Sequence, residues 1–186
     1  MIQTRFDDSK DLFKLIGAGA KVGIIACSDC AAAFKTSDTK RVNQICDRLS
    51  GRNEILFRLS VSSPCDGRVF ARLANTAPRF GEAECYIVLA CEAGLRTVSA
   101  YIAEAKAASG ADFKIVSPVI TISYAMIAPD NQPYNACIFC GECRFEGRVG
   151  PCPVANCPAH KKEGPCQDRT DDFCAHGTER RKCSWL

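Results

Sequence analysis

Short continuous apolar runs recur along the first 125 residues, separated by stretches whose apolar positions return at helical spacing. Lys21–Ala26 (KVGIIA), Ile55–Val61 and Tyr86–Ala90 (YIVLA) have strand length and little polar interruption, the mark of strands buried on both faces. Between them, Val42, Ile45, Cys46 and Leu49 fall on one helical face behind a capping Asp38, predicting a helix to about Ser50. Further helices are predicted through Val69, Phe70 and Leu73, over Leu95–Ala108, and over Asp8–Ile16 with Asp7 or Asp8 as cap and Gly17 as stop. A fourth strand is expected in Phe113–Val116 or Val119–Ile122. Strand and helix in alternation predict an α/β, Rossmann-like parallel sheet domain over residues 1–130. Right-handed crossovers then place every strand's C-terminal end on one edge of the sheet.

The pattern ends at Ala128–Tyr134 (APDNQPY), polar and turn-rich, which reads as a linker. Beyond it, residues 131–186 are expected to form a small irregular cysteine-rich metal-binding domain. Eight of the fourteen cysteines and both histidines fall between Cys137 and Leu186, where other hydrophobic residues are sparse. About fifty residues of this composition cannot build an adequate apolar core, so metal or disulfides must hold them together.

Charge excludes one class of function. Residues 1–136 hold 16 Lys/Arg against 14 Asp/Glu, and residues 137–186 hold 8 against 7, so no basic stripe for nucleic acid is formed. No apolar run reaches the roughly 20 residues that span a bilayer. MIQTRFDDSKDLFK is charged and lacks the apolar core of a secretory signal. The expected location is the cytoplasm, where cysteines are thiols or metal ligands more often than disulfides.

Three successive strands are each followed by cysteine: Cys27 and Cys30, then Cys65, then Cys91. Ligands of open α/β sheets sit outside the carboxyl ends of the strands, so these four thiols are expected to converge on an iron–sulfur cubane or a zinc ion. A redox dithiol at Cys27–Cys30 is the competing reading, and four buried apolar thiols the plain one. Cys46 on its helix face and Cys85 at a strand start are expected in the core. Gly17 and Gly19 precede the first strand and its turn is CSDC, so the G-x-G-x-x-G phosphate cradle is missing and no nucleotide is expected.

The tail opens as C-x2-C-x2-C (Cys137, Cys140, Cys143), continues to Cys152-Pro153, and adds Cys157, Cys166, Cys174 and Cys183. Short loops of this kind let three thiolates cap one face of a cubane while backbone N–H groups reach its sulfurs. Eight residues, not the three of two-cluster ferredoxins, separate Cys143 from Cys152. Eight thiols suffice for two four-thiolate sites; one cluster plus one zinc is the alternative, with His160 or His176 replacing a thiolate.

In these residues the tail resembles the C-terminal domain family of methylenetetrahydrofolate reductases. Cys152-Pro153, Cys157-Pro158, Gly164-Pro165-Cys166 and Cys183-Ser184-Trp185 stand where that family has its Cys-Pro, Gly-Pro-Cys and C-x-W steps. With CSDC, Cys65 and LACEAG, the first domain is similar to the small companion subunit found in acetogens and related anaerobes. One departure is Gln167-Asp168, where the family has Gly-Gly, so a tight turn there is in question. The resemblance implies a non-catalytic electron-transfer subunit with two or three [4Fe-4S] clusters, and zinc at one tail site in the alternative. It implies a partner, a flavin-containing (β/α)8 barrel that reduces 5,10-methylene-tetrahydrofolate to 5-methyl-tetrahydrofolate, and a donor such as ferredoxin or another electron-donor subunit. A structural zinc subunit that assembles the flavin protein without carrying electrons is the second reading.

Overall fold

The computed structural model describes residues 1–107, 110–129, 132–141, 143, 152–177 and 179–186. It divides into two compact units, residues 2–122 and residues 123–186 with Met1.

The first unit is built on four parallel strands, β2 (Lys21–Cys27), β3 (Glu54–Val61), β4 (Cys85–Leu89) and β5 (Lys114–Val116), in the order β3-β2-β4-β5. Helix α3 (Thr39–Leu49) links β2 to β3, α4 (Gly67–Ala74) links β3 to β4, and α5 (Glu92–Ala107) links β4 to β5. The α/β class expected from the alternation is the class found. The side-chain period of two sorts each strand into two core layers. Val22, Ile24 and Ala26 of β2, with Cys85, Ile87 and Leu89 of β4, pack with Leu12, Ile16, Ile45, Cys46 and Leu49. Ile25 and Cys27, with Tyr86, Val88 and Ala90, face Phe70, Val98 and Ile102 of α4 and α5. Phe57, Phe80 and Tyr86 form an aromatic cluster in this second layer, and the buried Tyr86 hydroxyl donates to Phe80 O at 2.7 Å. The Phe57 ring lies over Gly23, where it occupies the space a Cβ would need.

Several boundaries differ from expectation, each for a local reason. α1 covers only Leu12–Ile16, because Asp11 accepts from the Phe13 and Lys14 N–H groups at 3.1 Å each. Asp7 is instead engaged by Ser9, whose N–H and Oγ both donate to Oδ1. The fourth parallel strand is Lys114–Val116. The other candidate, Val119–Ile122, is the start of a longer strand, β6 (Val119–Ile127), which forms an antiparallel hairpin with β7 (Pro133–Cys137). Within the expected linker, Pro133 and Tyr134 begin β7, and Ala128 N donates to Gln132 O at 3.0 Å. Asp130 and Asn131, and Ala108 at the expected end of α5, lie outside the described residues. The strand β1 (Ile2–Phe6) and the four-residue helix α2 (Cys30–Ala33) were not expected.

The second unit has little regular structure: the hairpin, the short helix α6 (Pro153–Asn156), and isolated bridges from Phe173 to Thr170 and Lys182. Among the described residues, no helix is long and apolar enough to cross a membrane.

Candidate metal centres

Chain order places β3 and β4 on opposite sides of β2, so the switch point of the sheet lies beside the end of β2. Cys27 is there, in register with Val61, while Ala26 pairs with Leu89, two residues before Cys91. Cys27 and Cys91 are buried, Cys30 opens α2 half-buried, and Cys65 is exposed in the loop after β3. Asp29 ties the first and second of these loops together. Its carboxylate accepts from Ser63 N at 2.6 Å, Ser63 Oγ at 2.8 Å and Ser62 Oγ at 3.1 Å. Ser63 hydrogen bonds hold the Asp29 carboxyl below its ordinary range against a smaller opposing effect of burial. Because that carboxylate is committed to Ser63, it makes no side-chain cap on α2. Helix α5, which follows Cys91, is tied to the second loop. Thr97 Oγ1 donates toward Cys65 O at 3.3 Å, and a Cβ on Gly94 would meet Ala90 Cβ at 3.0 Å and Pro64 Cγ at 3.3 Å. Glycine is thus what lets the first turn of α5 approach the Pro64-Cys65 loop.

Burial pushes the Cys27 thiol up, opposed by the backbone N–H groups of Asp29 and Ala31, with charge on Asp29 and Cys91 raising it further. Burial also raises Cys65, and charge on Cys91 and Cys30 adds to it. Charge on neighbouring thiols thus disfavours the ionised forms of Cys27 and Cys65, and a bound cation would favour them. Cys46 and Cys85 are in the opposite core layer, and burial pushes Cys85 up to about 11.

In the second unit a cavity of 330 Å³ is lined by Cys137, Cys140, Cys143 and Cys152 together with Ile138, Phe139, Gly141 and Val154. Phe139 (φ 55°) and Gly141 (φ 82°), on either side of Cys140, both adopt left-handed backbone. The Phe139 N–H donates to Cys137 Sγ at 3.2 Å, the kind of bond that stabilises a ligating thiolate. Cys152 is brought to the cavity by α6, which begins at Pro153. Asn156 Nδ2 donates to Cys152 O and to Asn135 O of β7, both at 2.8 Å, so one side chain fastens α6 to the strand that carries Cys137. Ser184 Oγ donates to Pro153 O at 2.9 Å from the far end of the tail.

The other four tail cysteines lie outside that lining. Cys157 and Cys183 are buried; Cys166 and Cys174 are half-buried. Among the described residues one group brings three potential ligand atoms within 4.8 Å of one another: Cys166, Asp168 and His176. His176 Nε2 is 3.6 Å from Asp168 Oδ2, is shielded from solvent, and has no hydrogen-bond partner. His160, the other histidine expected as a ligand, turns Nδ1 to Val154 O at 3.3 Å. Gln167-Asp168 form a turn without positive φ, so glycine is not needed there. Trp185 packs against Gly164, where a Cβ would meet its indole at 2.5 Å, which accounts for glycine two residues before Cys166.

Both sets of residues therefore fit metal binding by donor type, and the protein is read as carrying candidate metal sites. Sequence reasoning missed Asp29, Asn135, Asn156 and Asp168. Asp29 sits inside the CSDC motif and was open to notice; Asn135 and Asn156 act through pairings that only the fold creates.

No curated protein and no solved structure matches the chain. Residues 119–186, from the first residue of β6 to Leu186, match the family described as methylene-tetrahydrofolate reductase C terminal, the family that the tail's cysteine steps resemble.

Proposed function

We propose that the chain is the electron-transfer subunit of a methylenetetrahydrofolate reductase complex, passing electrons through iron–sulfur clusters to the flavin of a barrel partner. The observation that carries the reading is the gathering of Cys137, Cys140, Cys143 and Cys152 around one apolar cavity within the matched segment. Cys27, Cys30, Cys65 and Cys91 are the second proposed ligand set. Four thiols are the ligand set of a cubane, which offers a separate iron to each. Cys157, Cys166, Cys174 and Cys183 remain proposed metal ligands of the tail. When bound, such clusters supply one-electron transfer, which a flavin can pair for a two-electron reduction. The chain's own residues hold the thiols: Asp29 and Thr97 position the strand-end loops, Asn156 sets Cys152 opposite Cys137, and backbone N–H groups face the sulfurs. Ferredoxin or another electron-donor subunit would reduce the chain, in the cytoplasm.

Co-expression with the barrel subunit tests this. The complex is expected to reduce methylene-tetrahydrofolate with a reduced viologen dye, and the chain alone to be inactive. A flavin subunit equally active with that dye in the chain's absence would contradict the relay. The structural zinc reading predicts a colourless protein, whereas clusters make it brown.

A further inference from the structure

We infer that Cys166, Asp168 and His176 bind a single divalent cation of the zinc class, at a site separate from the thiols that line the cavity. Thiolate, imidazole and carboxylate together suit zinc: the thiolate disfavours magnesium and calcium, and a mixed set with one sulfur is a poor holder for a cubane. Three observations converge. The three ligand atoms lie within 4.8 Å of one another, as donors around one small ion must. His176 Nε2 is buried without a hydrogen-bond partner, a costly state for an imidazole nitrogen unless an ion takes its lone pair. The polypeptide on both sides is pinned. Trp185 covers Gly164 before Cys166, and the loop that carries His176 is closed by Cys174 N donating to Arg181 O at 2.9 Å and Cys183 N to Asp172 O at 2.8 Å.

Gly177, at φ 100°, turns the chain immediately after His176, where its Cβ position faces Pro158 at 3.5 Å. An ion here would join the segments around residues 166 and 176 in a unit with little regular structure, and so act as a staple. Asp168 is a ligand that cysteine spacing alone does not reveal. The inference does not depend on the electron-transfer reading.

The test is metal content of the full chain purified anaerobically, with zinc and iron measured on the parent and on Asp168→Ala, His176→Ala and Asp168→Cys. The parent should hold one zinc per chain against a fixed concentration of chelator. Asp168→Ala and His176→Ala should retain zinc at least roughly tenfold more weakly with iron unchanged. Asp168→Cys, which restores a ligand of different shape, should recover zinc retention; a side chain that served only local packing would not be rescued this way. Zinc held equally by the parent and both alanine variants would overturn the inference. Loss of iron together with zinc would also overturn it, by making these residues part of a cluster.

Discussion

At the scale of single residues, groups other than the thiols hold the cysteine-bearing loops. Asp29 joins the loop bearing Cys27 and Cys30 to the loop leading to Cys65 through bonds from both Ser62 and Ser63. Asp29→Ala leaves the Ser63 N–H without its acceptor. It is expected to cost about 1–3 kcal/mol by denaturant titration. The parent's contribution has a definite pH sign. Because the folded carboxyl lies below its unfolded value of 3.8, this stability is present above that value and is lost as pH falls through the folded one. Cys65 and Cys46 separate ligand from core. Cys65→Ser should lose about one cluster's worth of iron, since a hydroxyl is a poor substitute for thiolate. Cys46→Ala should leave iron unchanged and cost about 1 kcal/mol in packing. Equal iron in the two variants would contradict the assignment of the strand-end thiols.

At the scale of elements, the first unit was legible where hydrophobic rhythm dominates. β2, β3, β4 and α3 fall within a residue or two of expectation, because buried parallel strands are continuous apolar runs and Asp38 caps α3 through Arg41 N. The hairpin was hidden because β6 places Ser123 and Ala125, neither a strong apolar marker, on its buried positions. β1 was hidden likewise, with Thr4 buried through a hydroxyl bond to Thr36 at 2.7 Å. In the tail the cysteines were readable but their partition was not, since it depends on α6. Asn156→Ala removes bonds to both Cys152 and Asn135 and should loosen α6 from β7. The expected readout is faster amide exchange in Val154–Asn156, with iron loss confined to the tail cluster. In the sheet, Cys85 supplies a pH test. The unfolded thiol ionises near 9 and the folded one at about 11. The folded state therefore holds the extra proton between these values, and stability falls as pH rises through them, by about 2–3 kcal/mol in all. Cys85→Ala should remove that part of the alkaline slope; Tyr86, pushed up to about 12, adds its own at higher pH.

At the scale of the whole molecule, a parallel sheet collects thiols distant in sequence at one edge, and a segment poor in apolar residues folds around thiols close in sequence. The chain's cysteine-ended strands suit metal binding. The measurement that tests this most directly is iron, acid-labile sulfide and zinc analysis of the anaerobically purified chain, with electron paramagnetic resonance of the reduced protein. Iron and sulfide in equal amounts, sufficient for at least two cubanes, and signals of reduced [4Fe-4S] clusters are the predicted result; zinc alone, with neither sulfide nor a paramagnetic signal, would contradict it.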